Sequence, residues 1–153
     1  MSEYDEQCAV VKFVGRQYPK LAPHLVSSLN GVAIGNFKTK QGRVQGAIRI
    51  KREKKAGMKV GWPDLSLSIP SEQYHGLYIE MKKQGGVPSD LSDEQKFYIE
   101  SIHALGYCCV WCAGADEAIE VIKDYLANKI IPTSGKVART RRKSKSIKGE
   151  KNV

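Results

Sequence analysis

Asp64, Glu80 and Lys82 combine two carboxylates and an amine in the pattern Asp-x15-Glu-x-Lys. Carboxylates held side by side repel each other, and a divalent cation such as Mg²⁺ relieves that repulsion because it prefers oxygen ligands. A lysine next to the cation can orient an attacking water or stabilise negative charge on a phosphate. This combination of side chains therefore suits metal-assisted hydrolysis of a phosphodiester bond.

Two short runs of extended chain, residues 61–69 and 77–82, are predicted to carry these side chains. Apolar and polar residues alternate in the second run, and a period of two places Glu80 and Lys82 on one face of a strand. Turn-forming residues link the runs, so the two strands can pair antiparallel and bring Asp64 beside Glu80. A Glu-x-Lys on an exposed strand and an Asp after Pro are both common, so these residues alone leave a purely structural role open.

The remaining elements predict an α/β fold in which helices flank a mixed β-sheet. Ser92 begins a helix in the form of a capping box, and Gly106 follows the end of that helix. Apolar periodicity predicts two further helices and another strand. The predicted order is helix, irregular basic segment, strand, strand, helix, strand, helix, with helices at residues 3–14, 92–105 and 115–128 and the last strand at residues 107–113.

Length and composition predict one folded domain. The chain has 153 residues, which is enough for one substantial core. It contains no run of about 18 apolar residues, and its acidic, polar N-terminus is unlike a signal peptide. We therefore expect a cytoplasmic protein with no membrane partner, in which residues 1–130 form the domain and residues 131–153 a basic tail.

Positive charge is concentrated in two segments. The chain carries a net charge of +9, of which residues 38–59 contribute +8 and residues 133–153 contribute +7, leaving −6 for the rest. Basic segments beside an acidic site favour a nucleic-acid partner, because they attract phosphates that the carboxylates would repel. A solvated charged surface is the alternative interpretation of either segment.

The two basic segments are predicted to differ in structure. The first has glycines and a few apolar residues, so it can form a short helix or strand beside a substrate. The second is too polar to bury a core and is predicted to stay disordered until it meets nucleic acid. The side chains predicted to bind DNA are Lys38, Lys40, Arg43, Arg49, Lys51, Arg52, Lys54 and Lys55 in the first segment and Arg139, Arg141, Arg142 and Lys143 in the second.

Several short motifs follow one another in a recognisable order. They are Glu3-x-x-Glu6-Gln7, Tyr18-Pro19-x-Leu21, Asn30-Gly31, Gly61-Trp62-Pro63-Asp64-Leu65, the run from Gly76 to Lys82, Ser92-x-x-Gln95 and Gly106-Tyr107. Each motif is weak by itself, but the ordered set covers the chain from residue 3 to about residue 125. On these motifs the chain resembles the VRR-Nuc family (virus-type replication-repair nuclease), a branch of the PD-(D/E)XK nuclease superfamily.

The resemblance implies a role for each residue of the central pattern. Asp64 and Glu80 match the metal-binding carboxylates of the family, and Lys82 matches its catalytic lysine. The main-chain carbonyl of Met81 would be a further metal ligand by analogy with the superfamily. The implied cofactor is Mg²⁺, for which Mn²⁺ would substitute.

The resemblance implies two further site residues, each on a helix. The first helix of the family contributes an acid, and Glu3 is favoured because it lies four residues before Gln7, although Glu6 shares nearly the same helical face. Gln95 matches a family glutamine on the helix after the core strands. Gln95 also lies at the third position of the capping box, and this structural role is the alternative explanation for the glutamine.

The resemblance also implies the class of reaction. It implies a restriction-endonuclease-like fold and a Mg²⁺-dependent endodeoxyribonuclease. Short stand-alone, phage-type members resemble Holliday-junction resolvases, so a homodimer acting on branched DNA or four-way junctions is expected. The alternatives are a restriction-like or flap nuclease with the same site, or a DNA-binding module without catalysis.

The cysteines are predicted to be buried thiols rather than zinc ligands. Cys109-x-x-Cys112 has the spacing of a zinc knuckle, but the sequence supplies no second pair of ligands. In a strand, Cys108 and Cys112 would point to one face and Cys109 to the other.

Overall fold

The computed structural model describes residues 1–28 and 38–129 of the chain. Helices and strands in these ranges follow the α/β pattern. In chain order they are α1 (Glu3–Gln17), β1 (Leu25–Ser27), α2 (Lys40–Lys55), β2 (Leu65–Leu67), β3 (Leu77–Lys82), α3 (Asp93–Ala104), β4 (Cys108–Ala113) and α4 (Ala115–Leu126).

The strands form one mixed sheet in the order β1-β2-β3-β4. β1 and β2 pair antiparallel, as do β2 and β3, whereas β3 and β4 run parallel. A parallel pair needs a crossover connection, and here α3 lies in the chain between the two strands. The predicted fold class, a mixed sheet flanked by helices, is confirmed.

Side chains that alternate along the strands fill a core on each face of the sheet. On one face Leu77, Ile79 and Met81 of β3 belong to a core that includes residues of α1 and α4. On the other face Ile99 of α3 shares a smaller core with Trp111 of β4. Full burial of each such side chain contributes roughly 1.5–3 kcal/mol, so the middle strands form a stable support for the polar residues of β3.

The cysteines of β4 are buried on both faces, as predicted. Cys108 and Cys112 belong to the larger core and Cys109 to the smaller one, while Cys8 is exposed on α1. Burial raises the pKa of the Cys108 thiol to about 12, so this thiol stays protonated near neutral pH and is a poor metal ligand.

The first basic segment contains a longer helix than expected. α2 has 16 residues, and Thr39 caps its N-terminus by accepting a hydrogen bond from the Gly42 N–H at 2.9 Å. Most of its residues are Lys, Arg, Gln and Ala, which favour helix. The segment was predicted to be irregular or to form a short helix or strand. The length of α2 was not predicted, because Gly46 is its buried residue and no apolar stripe marks the helix in the sequence.

Some predictions fall on residues outside the described ranges. These are the tail of residues 131–153, including Arg139, Arg141, Arg142 and Lys143, and the Asn30-Gly31 motif. Within the described ranges, no helix combines the length and the apolar character needed to cross a bilayer.

Candidate active site

β3 places Glu80 and Lys82 on the same face of the sheet, as the alternation of the sequence predicted. Lys82 Nζ lies 3.1 Å from Glu80 Oε1. Only 2% of Glu80 and 6% of Lys82 is exposed to solvent. A buried ion pair is costly to desolvate, so it adds little stability compared with apolar residues of similar size. Its presence at the end of a core strand therefore points to a functional site.

Asp64 lies beside Glu80 because β2 and β3 pair antiparallel. Leu65 pairs with Ile79, and continuing this register by one residue sets Asp64 opposite Glu80. Asp64 Oδ2 accepts a hydrogen bond from the Met81 N–H at 2.7 Å, which fixes the carboxylate against β3. The sequence predicted this juxtaposition of the two acids, and the structure brings them together.

Both acids resist ionisation in this arrangement. The pKa of the Glu80 carboxyl is raised to about 8, first by burial and then by the charge of Asp64, although the Lys82 ammonium acts in the opposite direction. Burial also raises the pKa of Asp64, against the effects of the Met81 N–H and of Lys82. A cation would favour the ionised form of both acids, which is the electrostatic signature of a functional carboxylate pair.

The structure separates the roles of the two acids on α1. Glu3 Oε1 lies 3.9 Å from Lys82 Nζ, and its side chain is half exposed at the open edge of the site. Glu6 is buried, and its Oε2 accepts a hydrogen bond from the Ala115 N–H at 2.8 Å. A carboxylate at this position stabilises the N-terminus of α4. Glu3 is therefore the acid of α1 that reaches the site.

Gln95 belongs both to the site and to the start of α3. Its Oε1 accepts the Ser92 N–H at 2.9 Å, and the Ser92 hydroxyl accepts the Gln95 N–H, which completes the predicted capping box. Its Nε2 donates to Glu80 Oε1. The capping role and the contact with Glu80 are therefore compatible, because the Gln95 side-chain amide makes both contacts.

The absence of a side chain at Gly61 lets α3 approach the site. A Cβ at residue 61 would lie 2.6 Å from Glu94 Cβ and 2.8 Å from the Gln95 main-chain nitrogen. Gly61 also has a φ of +82°, which L-residues with a side chain rarely adopt. Its sequence context gave no sign of this contact.

The eight basic residues predicted in the first segment are all exposed. Lys38 and Lys40 lie at the start of α2, and Lys54 and Lys55 at its end. α2 therefore presents a basic surface. The four basic residues predicted in the tail lie outside the described residues.

The carboxylates of Asp64 and Glu80 suit a cation that needs few protein ligands. Over residues 1–28 and 38–129, no cluster of three or more His, Cys, Asp or Glu side chains has the arrangement of a metal site. The two carboxylates of Asp64 and Glu80 would therefore have to act with main-chain, water and substrate oxygens. Mg²⁺ is commonly bound in this way, by one or two carboxylates together with waters and a phosphate.

Comparison with known proteins identifies the family. Residues 6–116 match the family model of the VRR-NUC domain. The chain belongs to the VRR-NUC domain family. The chain is also similar to a solved structure described as a VRR_NUC domain protein, with a TM-score of 0.66 and 30% identity over 83% of this chain and 89% of that chain. A comparison with curated proteins gave no match.

Membership of the VRR-NUC family confirms the resemblance drawn from the motifs. The matched range contains Asp64, Glu80, Lys82 and Gln95, whereas Glu3 precedes it. VRR-NUC domains are generally nuclease-like, so the chain carries a nuclease domain with DNA as the implied substrate.

Proposed function

We propose that the protein is a metal-dependent endonuclease that hydrolyses phosphodiester bonds in DNA. The proposal rests on the partly exposed Asp64 beside the buried Glu80, with the buried Lys82 Nζ 3.1 Å from Glu80. A protein that only binds DNA gains nothing from two adjacent carboxylates, because they repel each other and the phosphate backbone.

Asp64, Glu80 and the main-chain carbonyl of Met81 would hold the cation, either Mg²⁺ or Mn²⁺. When bound, such an ion polarises the scissile phosphate and lowers the pKa of a water. The hydrogen bond from the Met81 N–H keeps Asp64 Oδ2 directed at β3, and the amide of Gln95 keeps Glu80 in place. The protein thus supplies two carboxylates whose orientation is fixed before any ligand arrives.

Lys82 and Glu3 supply the remaining chemistry of the proposed site. The Lys82 ammonium stabilises negative charge that develops on the phosphate and orients the attacking water. Glu3 lies at the exposed edge, 3.9 Å from the same ammonium, where its carboxylate can hold a water by hydrogen bonding.

α2 would hold the DNA backbone near the site. Its exposed lysines and arginines form a surface of one charge, and each phosphate contact that such a surface makes releases counterions. Replacing Lys51 and Lys55 by Gln should lower the slope of log affinity against log salt concentration by about 0.9 per lost contact. Lys12→Gln with Lys123→Gln is the charge-matched control, and equal slopes for both pairs would remove α2 from the interface.

The proposed substrate is branched DNA, in particular a four-way junction. This proposal follows from family membership, and a homodimer would supply two symmetric sites for the two strands to be cut. A restriction-like or flap-cutting activity uses the same residues on another DNA shape. Sedimentation of the full chain, alone and with a junction, tests the dimer directly.

One assay separates these activities from simple binding. The full chain is incubated with labelled junction, flap and linear duplex DNA, in EDTA and in Mg²⁺ or Mn²⁺. Cleavage of the junction in metal supports the resolvase-like proposal, and preferential cleavage of flap or linear duplex supports the corresponding alternative. Binding in EDTA without cleavage in either metal would identify a non-catalytic DNA-binding module.

A further inference from the structure

A cleft of about 370 Å³ lies between the C-terminal end of α2 and the loop that leads into β2. Its walls include Glu53, Ser28 and Trp62. Two of these are tied to the carboxylate pair: Ser28 donates its main-chain N–H to the Asp64 carbonyl at 2.7 Å, and Trp62 precedes Asp64 by two residues. The cleft therefore adjoins the strand end that carries Asp64.

The walls of the cleft combine a fixed aromatic ring with polar atoms. The Trp62 indole packs edge-on against Tyr98 and Tyr78, with ring centroids 5.2 Å and 5.7 Å away, so its orientation is set. In the described part of the chain, Ser28 Oγ is buried without a hydrogen-bond partner. A buried hydroxyl without a partner is unfavourable, so a ligand that hydrogen-bonds to it, after a rotation about χ1 of Ser28 turns the hydroxyl towards the cleft, would gain affinity.

We propose that this cleft binds an unpaired nucleobase of the DNA substrate. A base is a flat heterocycle that can stack on Trp62 and exchange hydrogen bonds with Ser28 Oγ, and Glu53 can accept a hydrogen bond from an exocyclic amine. The volume is within the usual range for a small-molecule site. The Glu53 carboxylate disfavours a phosphate in the same place.

This inference rests on the proposed function, since it takes DNA to be the substrate. Bases at branches are already unpaired or easily unstacked, so moving one of them into a protein cleft costs less than extracting one from a continuous duplex. Capture of such a base beside Asp64 would set which phosphate reaches the carboxylate pair. Lys59 also lines the cleft and carries a charge that suits the backbone of the captured nucleotide.

The test compares two DNA duplexes that differ by one base. Each carries a single-nucleotide bulge, with an adenine in one duplex and an abasic residue in the other, so that shape and charge are matched. The full-length wild-type protein is titrated in EDTA. We expect the adenine bulge to bind about 5- to 150-fold more tightly, which is the affinity associated with one base–aromatic stack. Equal affinities would overturn the proposal.

Three substitutions test whether the preference for the adenine bulge arises in this cleft. Trp62→Ala should bring the affinity ratio to about one. Ala56→Leu, which fills part of the cleft from its exposed wall without removing any packing or supplying a ring to stack on, should also abolish the preference. Phe97→Ala is the control, because Phe97 is an exposed aromatic residue outside the cleft. A preference that survives both Trp62→Ala and Ala56→Leu would contradict the proposal.

Cleavage in Mg²⁺, measured on the same preparations, separates failure of the base site from failure of the proposed endonuclease activity. Equal binding of the two bulges by a protein that cuts DNA would reject the base site and leave the endonuclease intact. No binding of either duplex, together with no cleavage of bulged or junction DNA in Mg²⁺, would reject both.

Discussion

The side-chain amide of Gln95 donates to Glu80 Oε1 while its carbonyl oxygen accepts the Ser92 N–H. The start of α3 and the acid at the centre of the site are therefore held by one residue. Lys82 Nζ approaches the same Glu80 oxygen at 3.1 Å. Because two positively polarised groups meet at this atom, the orientation of Glu80 is fixed from both α3 and β3.

Gln95→Glu should separate the two functions of this residue. Glutamate is as good as glutamine at the third position of a capping box, so the melting temperature should change little. Its carboxylate cannot donate to Glu80 and adds a third negative charge, so cleavage should fall by about 10- to 100-fold, as is typical for partners of metal ligands. Thermal unfolding and initial cleavage rates measure the two effects. An unchanged rate would remove Gln95 from the site.

Glu3→Ala and Glu6→Ala form a matched pair of substitutions on α1. Glu6→Ala removes the buried acceptor of the Ala115 N–H and should lower the free energy of unfolding by about 1–3 kcal/mol. Glu3→Ala should leave stability within about 0.5 kcal/mol but reduce the cleavage rate. Urea unfolding and cleavage assays of both variants check this division. The reverse outcome would make Glu6 the acid of the site.

Gly61→Ala and Gly85→Ala test the close approach of α3. The two glycines have nearly the same φ, +82° and +81°, so the intrinsic backbone cost of alanine is similar. A Cβ at residue 85 meets no atom within 4 Å, whereas one at residue 61 collides with the start of α3. Gly85→Ala should therefore cost about 1 kcal/mol and Gly61→Ala at least about 2 kcal/mol more, with lower activity. Equal losses in denaturant unfolding would contradict the contact.

The raised pKa of Glu80 predicts a dependence of stability on pH in the absence of metal ions. Its pKa rises from 4.5 to about 8 on folding, so the folded chain binds this proton more tightly than the unfolded chain. The resulting stability is complete below about pH 4.5 and lost as the pH rises through about 8. Across that range, the free energy of unfolding in EDTA should fall by about 5 kcal/mol relative to Glu80→Gln. A constant difference between the two proteins would contradict the burial of this carboxyl.

Local signals in the sequence predicted most of the fold and the centre of the site. Alternation along residues 77–82 placed Glu80 and Lys82 on one face, and the turn-rich link predicted the pairing that brings Asp64 to them. The Ser92–Gln95 capping box marked the start of α3. Each of these signals depends on residues close in sequence or on the register of a strand. Both leave a regular pattern in the amino-acid sequence.

Contacts between distant residues account for what the sequence did not reveal. Glu6 and Ala115 are 109 positions apart, so the spacing of Glu3 and Glu6 could not show which acid caps α4. The clash at Gly61 depends on how closely α3 packs. β1 has only three residues, two of them exposed, so it carries no periodic signal. The length of α2 was not predicted, because this helix buries little apolar surface.

The cleavage rate of Asp64→Asn in Mg²⁺ shows whether the Asp64 carboxylate is needed for catalysis. Asparagine keeps an oxygen that can accept the Met81 N–H, so the fold should persist while one anionic ligand is lost. We predict a rate at least about 100-fold below wild type with nearly unchanged thermal unfolding, and a normal rate for Asp116→Asn, which changes an exposed acid of α4. Cleavage by Asp64→Asn at the wild-type rate would contradict the assignment of the active site.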